Sequence, residues 1–159
     1  MTDCSTATKC ELLAEAARQF GRVRLSVTGT SMLPAVWPGD TLSVQREPMV
    51  AFRPGQIALF GRDGGLVAHR VVRNSDSVLI TRGDRLRYDD APVLEEELVG
   101  RVVSLVRNGR EIPVEVSLVC RAAAVVLRHS DFAVRVLLGI ERRLRVLRMQ
   151  WRPAAEGAA

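Results

Sequence analysis

Lysine is almost absent from this 159-residue chain, and cysteine and histidine are scarce. Lys9 is the only lysine, so nearly all positive charge is carried by arginine. The three cysteines, Cys4, Cys10 and Cys120, are scattered and lack the spacing of a zinc site. An odd, unpatterned set of thiols favours a reducing compartment over a disulfide-bonded scaffold. We therefore expect no bound metal ion and no other cofactor.

Long apolar runs are also missing from the sequence. The first twenty residues contain no apolar core of the length that a signal peptide needs. Charged residues interrupt the most apolar later stretch, residues 117–140, whereas a spanning helix needs about 20 predominantly apolar residues. The expectation is a cytoplasmic protein, with peripheral association with a membrane as an open alternative.

The hydrophobic pattern divides the chain into four parts. Residues 1–20 form an N-terminal segment with a short helix at Glu11–Phe20, which ends before Gly21. One face of this helix is expected to be apolar, with Leu12, Leu13, Ala16, Ala17 and Phe20. Residues 21–116 form a β domain, residues 117–152 a basic amphipathic helix, and residues 153–159 a disordered tail.

The β domain is indicated by short runs of β-forming residues between turn signals rich in Gly, Pro, Asn and Asp. The pattern predicts a mainly β fold with a multi-stranded antiparallel sheet. The expected strands are Arg22–Thr28, Thr41–Gln45, Gln56–Phe60, Gly65–Val72, Ser77–Thr81 and Leu98–Val106.

Positive charge is concentrated in residues 117–152, which carry eight arginines against Asp131 and Glu141. Four arginines recur every seven residues and so lie along one stripe of a helix: Arg121, Arg128, Arg135 and Arg142. The stripe predicts contact with an anionic membrane surface or with a partner. The alternative is a helix that packs on the β domain with its arginines in water. Nucleic-acid binding is not favoured, because no array of aromatic residues accompanies the arginines.

The segment Val27–Asp40, VTGTSMLPAVWPGD, contains a serine in a glycine-rich turn. A serine in such a turn is usually only turn chemistry. The longer string, G-x-S-M-x-P followed by Gly39-Asp40, resembles the nucleophile box of signal peptidase I and of the LexA-type self-cleaving repressors. The resemblance implies that Ser31 is a nucleophile.

Two further segments extend this resemblance. GLVAHRVV at Gly65–Val72 resembles the strand of the endoplasmic-reticulum and archaeal signal peptidases, in which histidine replaces the usual lysine base. TRGDRLRYDD at Thr81–Asp90, followed by a Gly-Arg-Val strand at residues 100–102, resembles their third box. The resemblance covers about residues 27–103 and implies a serine endopeptidase with His69 as general base.

The composition supports His69 independently of the resemblance. A serine hydroxyl needs a base to become nucleophilic, and arginine does not lose its proton at physiological pH. Lys9 lies before the β domain, and of the two histidines, His129 lies in the arginine-rich segment. If Ser31 is catalytic, His69 is therefore the expected base.

A histidine base is usually oriented by a carboxylate, and three aspartates follow on the next predicted strand and its loop. These candidates are Asp84, Asp89 and Asp90. The residues alone leave the choice open. The resemblance favours Asp90 as the third catalytic residue and implies a supporting role for Asp84.

The residues around Ser31 are expected to form the oxyanion hole and the substrate pocket. The backbone N–H of Ser31, helped by Thr30, would stabilise the oxyanion. Gly29 stands where signal peptidases often have serine, so a side-chain donor is missing there. Met32 and Leu33 are expected to line shallow pockets for a polypeptide substrate that binds in extended form.

Two alternative functions remain open at this stage. A self-cleaving regulator is not favoured, because only about 28 residues precede the nucleophile box and the chain contains no Ala-Gly or Cys-Gly bond. A non-catalytic binding module of the same fold is the second alternative. Arg85, which replaces the asparagine usual after Gly-Asp, and the lack of the family's membrane anchor leave this alternative open, whereas the presence of both Ser31 and His69 argues against it.

Overall fold

The computed structural model describes residues 12, 15–17, 19–114, 135–136, 138–140 and 143–144. The predicted mainly β architecture with an antiparallel sheet is confirmed, because one seven-stranded sheet dominates these residues and every strand pair is antiparallel. Its strands are β1 (Arg22–Ser26), β2 (Thr41–Gln45), β3 (Ile57–Arg62), β4 (Gly65–Asn74), β5 (Leu79–Arg82), β6 (Leu98–Arg107) and β7 (Arg110–Pro113).

The long strand β6 organises the sheet, whose order is β1-β2-β6-β3-β4-β5. One side of β6 pairs with β2, and the other side pairs first with β3 and then with β7. Strands β4 and β5 lie at the far end of this order from β1. A single bridge between Leu79 and Val93 ties the chain after β5 back to that strand.

Two hairpins in the sheet close with two-residue turns of left-handed backbone. Asp63 and Gly64, with φ of 52° and 71°, join β3 to β4, and Asn108 and Gly109, with φ of 53° and 76°, join β6 to β7. Asp-Gly and Asn-Gly suit this turn because both residues tolerate positive φ, and its twist matches that of the flanking strands. The sequence analysis had not predicted β7, although Asn108-Gly109 is a strong hairpin signal.

Successive side chains of β3 point to opposite faces of the sheet and belong to two apolar clusters, one on each face. The first includes Leu42, Val44, Leu59 and Leu105, and the second includes Phe60 and Val71 together with Met49, Phe52, Ala58, Leu79 and Val93. On β4, Val71 faces the second cluster, and His69 has the same orientation because successive side chains of a strand alternate between faces. His69 therefore lies on the side of the sheet that packs against the second cluster.

The predicted terminal helices are described only in part. In the N-terminal helix, residues 12, 15–17 and 19–20 are helical. Ala17 is buried as predicted, but Leu12 and Phe20 are exposed, so the expected apolar face is wrong at its two ends.

The long helix predicted over residues 117–152 is not supported. Only residues 135–136, 138–140 and 143–144 are described as helical, and the others, with the predicted tail, lie outside the described residues. In the described part of the chain, no helix is long and apolar enough to cross a membrane.

Candidate active site

Ser31 lies at the start of a turn between β1 and β2. Residues 27–30 lie outside the strands, and the chain then turns through Ser31 to Val36. Two backbone hydrogen bonds close this turn, from Leu33 N–H to the Thr30 carbonyl at 3.3 Å and from Val36 N–H to the Met32 carbonyl at 3.0 Å. The serine side chain is half-buried, so the turn presents it at the margin of the fold.

Asp40 fixes the end of the segment that carries the serine. Its carboxylate accepts a hydrogen bond from the Trp37 backbone N–H at 2.8 Å and two from the Arg107 guanidinium at 2.9 and 2.7 Å. The Asp40 side chain is 1% exposed, and its pairing with Arg107 satisfies a charge that would be costly to bury alone. The Gly39-Asp40 part of the motif is thus structural, because it fastens the serine segment to β6.

His69 lies on β4 with its ring directed at the serine. Its Nε2 is 2.9 Å from the Ser31 Oγ, which is hydrogen-bonding distance. The residue is 6% exposed, and the Phe60 ring packs against the imidazole in a T-shaped arrangement with centroids 6.2 Å apart. This packing holds the ring in one orientation, so the fold of the sheet places the imidazole beside Ser31.

Asp90 completes the chain of contacts on the other side of the imidazole. Its Oδ2 lies 2.7 Å from the His69 Nδ1. A carboxylate only accepts hydrogen bonds, so this contact requires the proton on Nδ1 and leaves Nε2 as an acceptor for the Ser31 hydroxyl. The structure therefore brings Ser31, His69 and Asp90 together in the order that general-base activation of a serine needs.

Asp84 and Asp89, the two other candidate carboxylates, are engaged elsewhere. Asp84 accepts two parallel hydrogen bonds of 2.7 Å from Arg70, which also donates to the Gly55 carbonyl at 2.6 Å. Asp89 is more exposed and lies 3.3 Å from Arg82. Asp84 thus ties the loop after β5 to the residue that follows His69, which is a supporting arrangement.

Gly83 is a site residue that the sequence analysis had missed. A Cβ added there would lie 2.9 Å from the Ser31 carbonyl oxygen and 3.1 Å from the His69 Nε2. The β4–β5 register pairs Arg70 with Arg82, so the next position opposite His69 is Gly83. Only a residue without a side chain leaves room for the imidazole and the serine turn at this point.

Gly29 and Thr30, the candidate oxyanion residues, directly precede Ser31 in the chain, and their role stays a prediction. Gly29 is exposed, and nothing lies within 4 Å of a Cβ added there. The Thr30 Oγ1 lies 3.3 Å from the Arg85 guanidinium, and the Arg85 backbone N–H donates to the Ser31 carbonyl at 2.9 Å. Arg85, the residue that departs from the family pattern, therefore contacts the nucleophile segment directly.

Met32 and Leu33, the predicted pocket residues, are 3% and 0% exposed. Met32 belongs to the first apolar cluster, where it packs with core residues. Both side chains therefore offer little surface for contact with a substrate, and their role in a pocket stays a prediction.

Among the residues that the structure describes, no group of three or more histidine, cysteine or acidic side chains is arranged to hold a metal ion. No family model matches this chain, and no curated protein matches it at a significant level. The functional interpretation therefore depends on the sequence motifs and on the geometry around Ser31.

Proposed function

We propose that this protein is a serine endopeptidase that cleaves a peptide bond in a protein or peptide precursor. The observation that carries the proposal is the unbroken chain of hydrogen-bonding distances from Ser31 to His69 to Asp90, 2.9 and 2.7 Å. An acceptor nitrogen facing a half-buried serine hydroxyl, with a carboxylate behind the ring, is the arrangement that makes serine a nucleophile.

In the proposed mechanism, the Ser31 Oγ attacks the carbonyl carbon of the scissile bond while the His69 Nε2 takes the hydroxyl proton. The carbon–nitrogen bond then breaks, and the imidazolium returns the proton to the leaving amine. Water, activated by the same imidazole, hydrolyses the acyl-enzyme. The negative charge of Asp90 stabilises the imidazolium that forms in both steps, and the Ser31 backbone N–H with Thr30 stabilises the oxyanion.

The proposed substrate is a polypeptide in extended conformation. Thr28 and Gly29, which lie shortly before the nucleophile in the chain, are exposed, so a substrate strand is able to lie along this segment. Backbone hydrogen bonds to a strand edge supply affinity without reading sequence. This mode of binding also agrees with the resemblance to the histidine-type signal peptidases, which we propose as the relatives of this chain.

The proposal also covers location and partners. The scattered cysteines favour a cytoplasmic protein, and the arginine-rich residues 117–152 favour contact with an anionic membrane surface or a partner protein. Such contact would place the peptidase close to a membrane.

Digestion of a mixed peptide library tests the proposed activity, with mass spectrometry of the products. The chain is expected to yield new peptide termini, and Ser31→Ala, which removes only the Oγ, is expected to yield none. Equal product spectra from the two proteins would contradict the proposal by assigning the cleavage to a contaminant. A complete lack of cleavage by the wild-type chain would favour the non-catalytic binding module.

A further inference from the structure

The Thr81 hydroxyl contacts the same carboxylate oxygen that faces the histidine. The Thr81 Oγ1 donates to the Asp90 Oδ2 at 2.6 Å, and the His69 Nδ1 lies 2.7 Å from that oxygen. A second link joins the pair, because the Asp90 backbone N–H donates to the Thr81 carbonyl at 2.8 Å. One residue therefore holds both the backbone and the carboxylate of Asp90.

Thr81 is buried, so packing alone does not explain why this position carries a hydroxyl group. Thr81 is 0% exposed and lies two residues after Leu79 on β5, on the side of the strand that faces the apolar core. Valine has nearly the same shape and would fill this space without a polar group. A buried hydroxyl without a hydrogen-bond partner is destabilising, and here the Asp90 carboxylate supplies the partner.

We propose that Thr81 is a positioning residue for the peptidase reaction, a role that rests on the proposed function. Its hydroxyl fixes the rotation of the Asp90 carboxylate, and the fixed carboxylate keeps the proton of His69 on Nδ1. Without the hydroxyl, the carboxylate rotates and the imidazole also populates the tautomer with its proton on Nε2. That tautomer cannot accept the Ser31 proton, so the fraction of reactive enzyme falls.

Four single variants separate this role from a purely structural one. Thr81→Val and Thr81→Ala both remove the hydroxyl, so the test survives if one of them disturbs the strand. Thr81→Ser restores the hydroxyl. Ser43→Ala is the matched control, because Ser43 is also buried but lies on β2, three strands from β4 in the sheet order. Thermal unfolding checks that each variant is folded.

The kinetic readout is the reaction of Ser31 with a fluorophosphonate, in which an Oγ–phosphorus bond forms, fluoride leaves and His69 takes the proton. In Thr81→Val and Thr81→Ala the maximal labelling rate is expected to fall about 10- to 100-fold with unchanged probe affinity, the same loss as when the partner that orients a metal-binding histidine is removed. Thr81→Ser and Ser43→Ala are expected to label within about two-fold of wild type on the same reasoning. Undiminished labelling by a folded Thr81→Val or Thr81→Ala would overturn the proposal.

The second readout needs no activity. The His69 Nδ1 proton, assigned with His69→Gln, is followed by ¹H–¹⁵N NMR in each protein. The slowly exchanging signal is expected in wild type and Thr81→Ser and is expected to be lost in the two variants without a hydroxyl. Persistence of this signal in the two variants would overturn the role of Thr81. Failure of Ser31 to label in the wild-type protein would overturn the proposed function, and the NMR comparison alone would then test whether Thr81 orients the histidine.

Discussion

The imidazole of His69 rests directly against the backbone of Gly83, since an added Cβ at Gly83 would lie 3.1 Å from Nε2. The same Cβ would lie 2.9 Å from the Ser31 carbonyl oxygen, which belongs to the backbone and cannot shift as easily as the end of a flexible side chain. The space for the contact between the base and the nucleophile is therefore created by the missing side chain of the residue opposite His69 on the neighbouring strand.

Replacing Gly83 with alanine is expected to displace the serine turn or the imidazole and to slow fluorophosphonate labelling of Ser31. A misplacement of about 1 Å at a reacting group is enough to cost about 100-fold in rate. Gly61→Ala is the control, because its added Cβ would meet its nearest neighbour only at 3.9 Å. A Gly83→Ala protein that labels as fast as Gly61→Ala would show that the close approach is not needed.

Asp90 and Asp89 are adjacent in sequence but are expected to differ sharply in mutants. Asp90→Asn offers an amide to the His69 Nδ1 and favours the wrong tautomer, so the labelling rate is expected to fall by up to about 10⁴-fold, as in serine proteases with this change. Asp89→Asn removes only a half-exposed charge near Arg82 and is expected to leave the rate unchanged. Equal losses in the two variants would argue against Asp90 as the orienting carboxylate.

The Arg70–Asp84 pair is expected to contribute to stability. Its side chains are only 16% and 11% exposed, so Asp84→Ala leaves a mostly buried arginine without that carboxylate and is expected to lower the free energy of unfolding by about 3 kcal/mol. The matched variant Asp89→Ala breaks a pair with side chains 34% and 37% exposed and is expected to cost less than about 1 kcal/mol. Urea unfolding measures both; similar values would contradict the assignment of a structural role to Asp84.

The arginines of residues 117–152 are expected to bind anionic surfaces. The full chain should co-sediment with vesicles that contain anionic lipid, and added salt should release it, because each basic residue contributes about 1 kcal/mol that is screened over a Debye length. Replacing Arg121, Arg128, Arg135 and Arg142 with glutamine should abolish sedimentation. Equal partitioning with neutral and anionic vesicles at low salt would eliminate this role.

Local patterns in the sequence predicted much of the sheet. Strand β2 has the predicted bounds and β4 begins at the predicted residue, because alternating β-forming residues between turn signals specify both. The three short motifs also named Ser31, His69 and Asp90, which the structure brings into contact, while their catalytic role stays a prediction.

The residues that the sequence analysis missed act across strands. Gly83 lies opposite His69 because of the register in which β4 pairs with β5. Thr81 contacts Asp90 because the chain that follows β5 returns to pair with that strand. The residue pattern within one strand does not specify which residues of a neighbouring strand lie opposite it. One signal was available in the sequence: Thr81 lies two residues after Leu79, on the same buried side of the strand, and a buried hydroxyl needs a hydrogen-bond partner.

Labelling of Ser31 by a fluorophosphonate tests most directly whether the imidazole of His69 activates this serine. We expect a single adduct in the intact mass of the wild-type chain, mapped by peptide sequencing to Ser31. We expect none in Ser31→Ala and a rate at least about 10³-fold lower in His69→Ala, because nucleophile and base act as one unit. An adduct on another residue, or a His69→Ala protein that labels at the wild-type rate, would show that His69 does not activate Ser31.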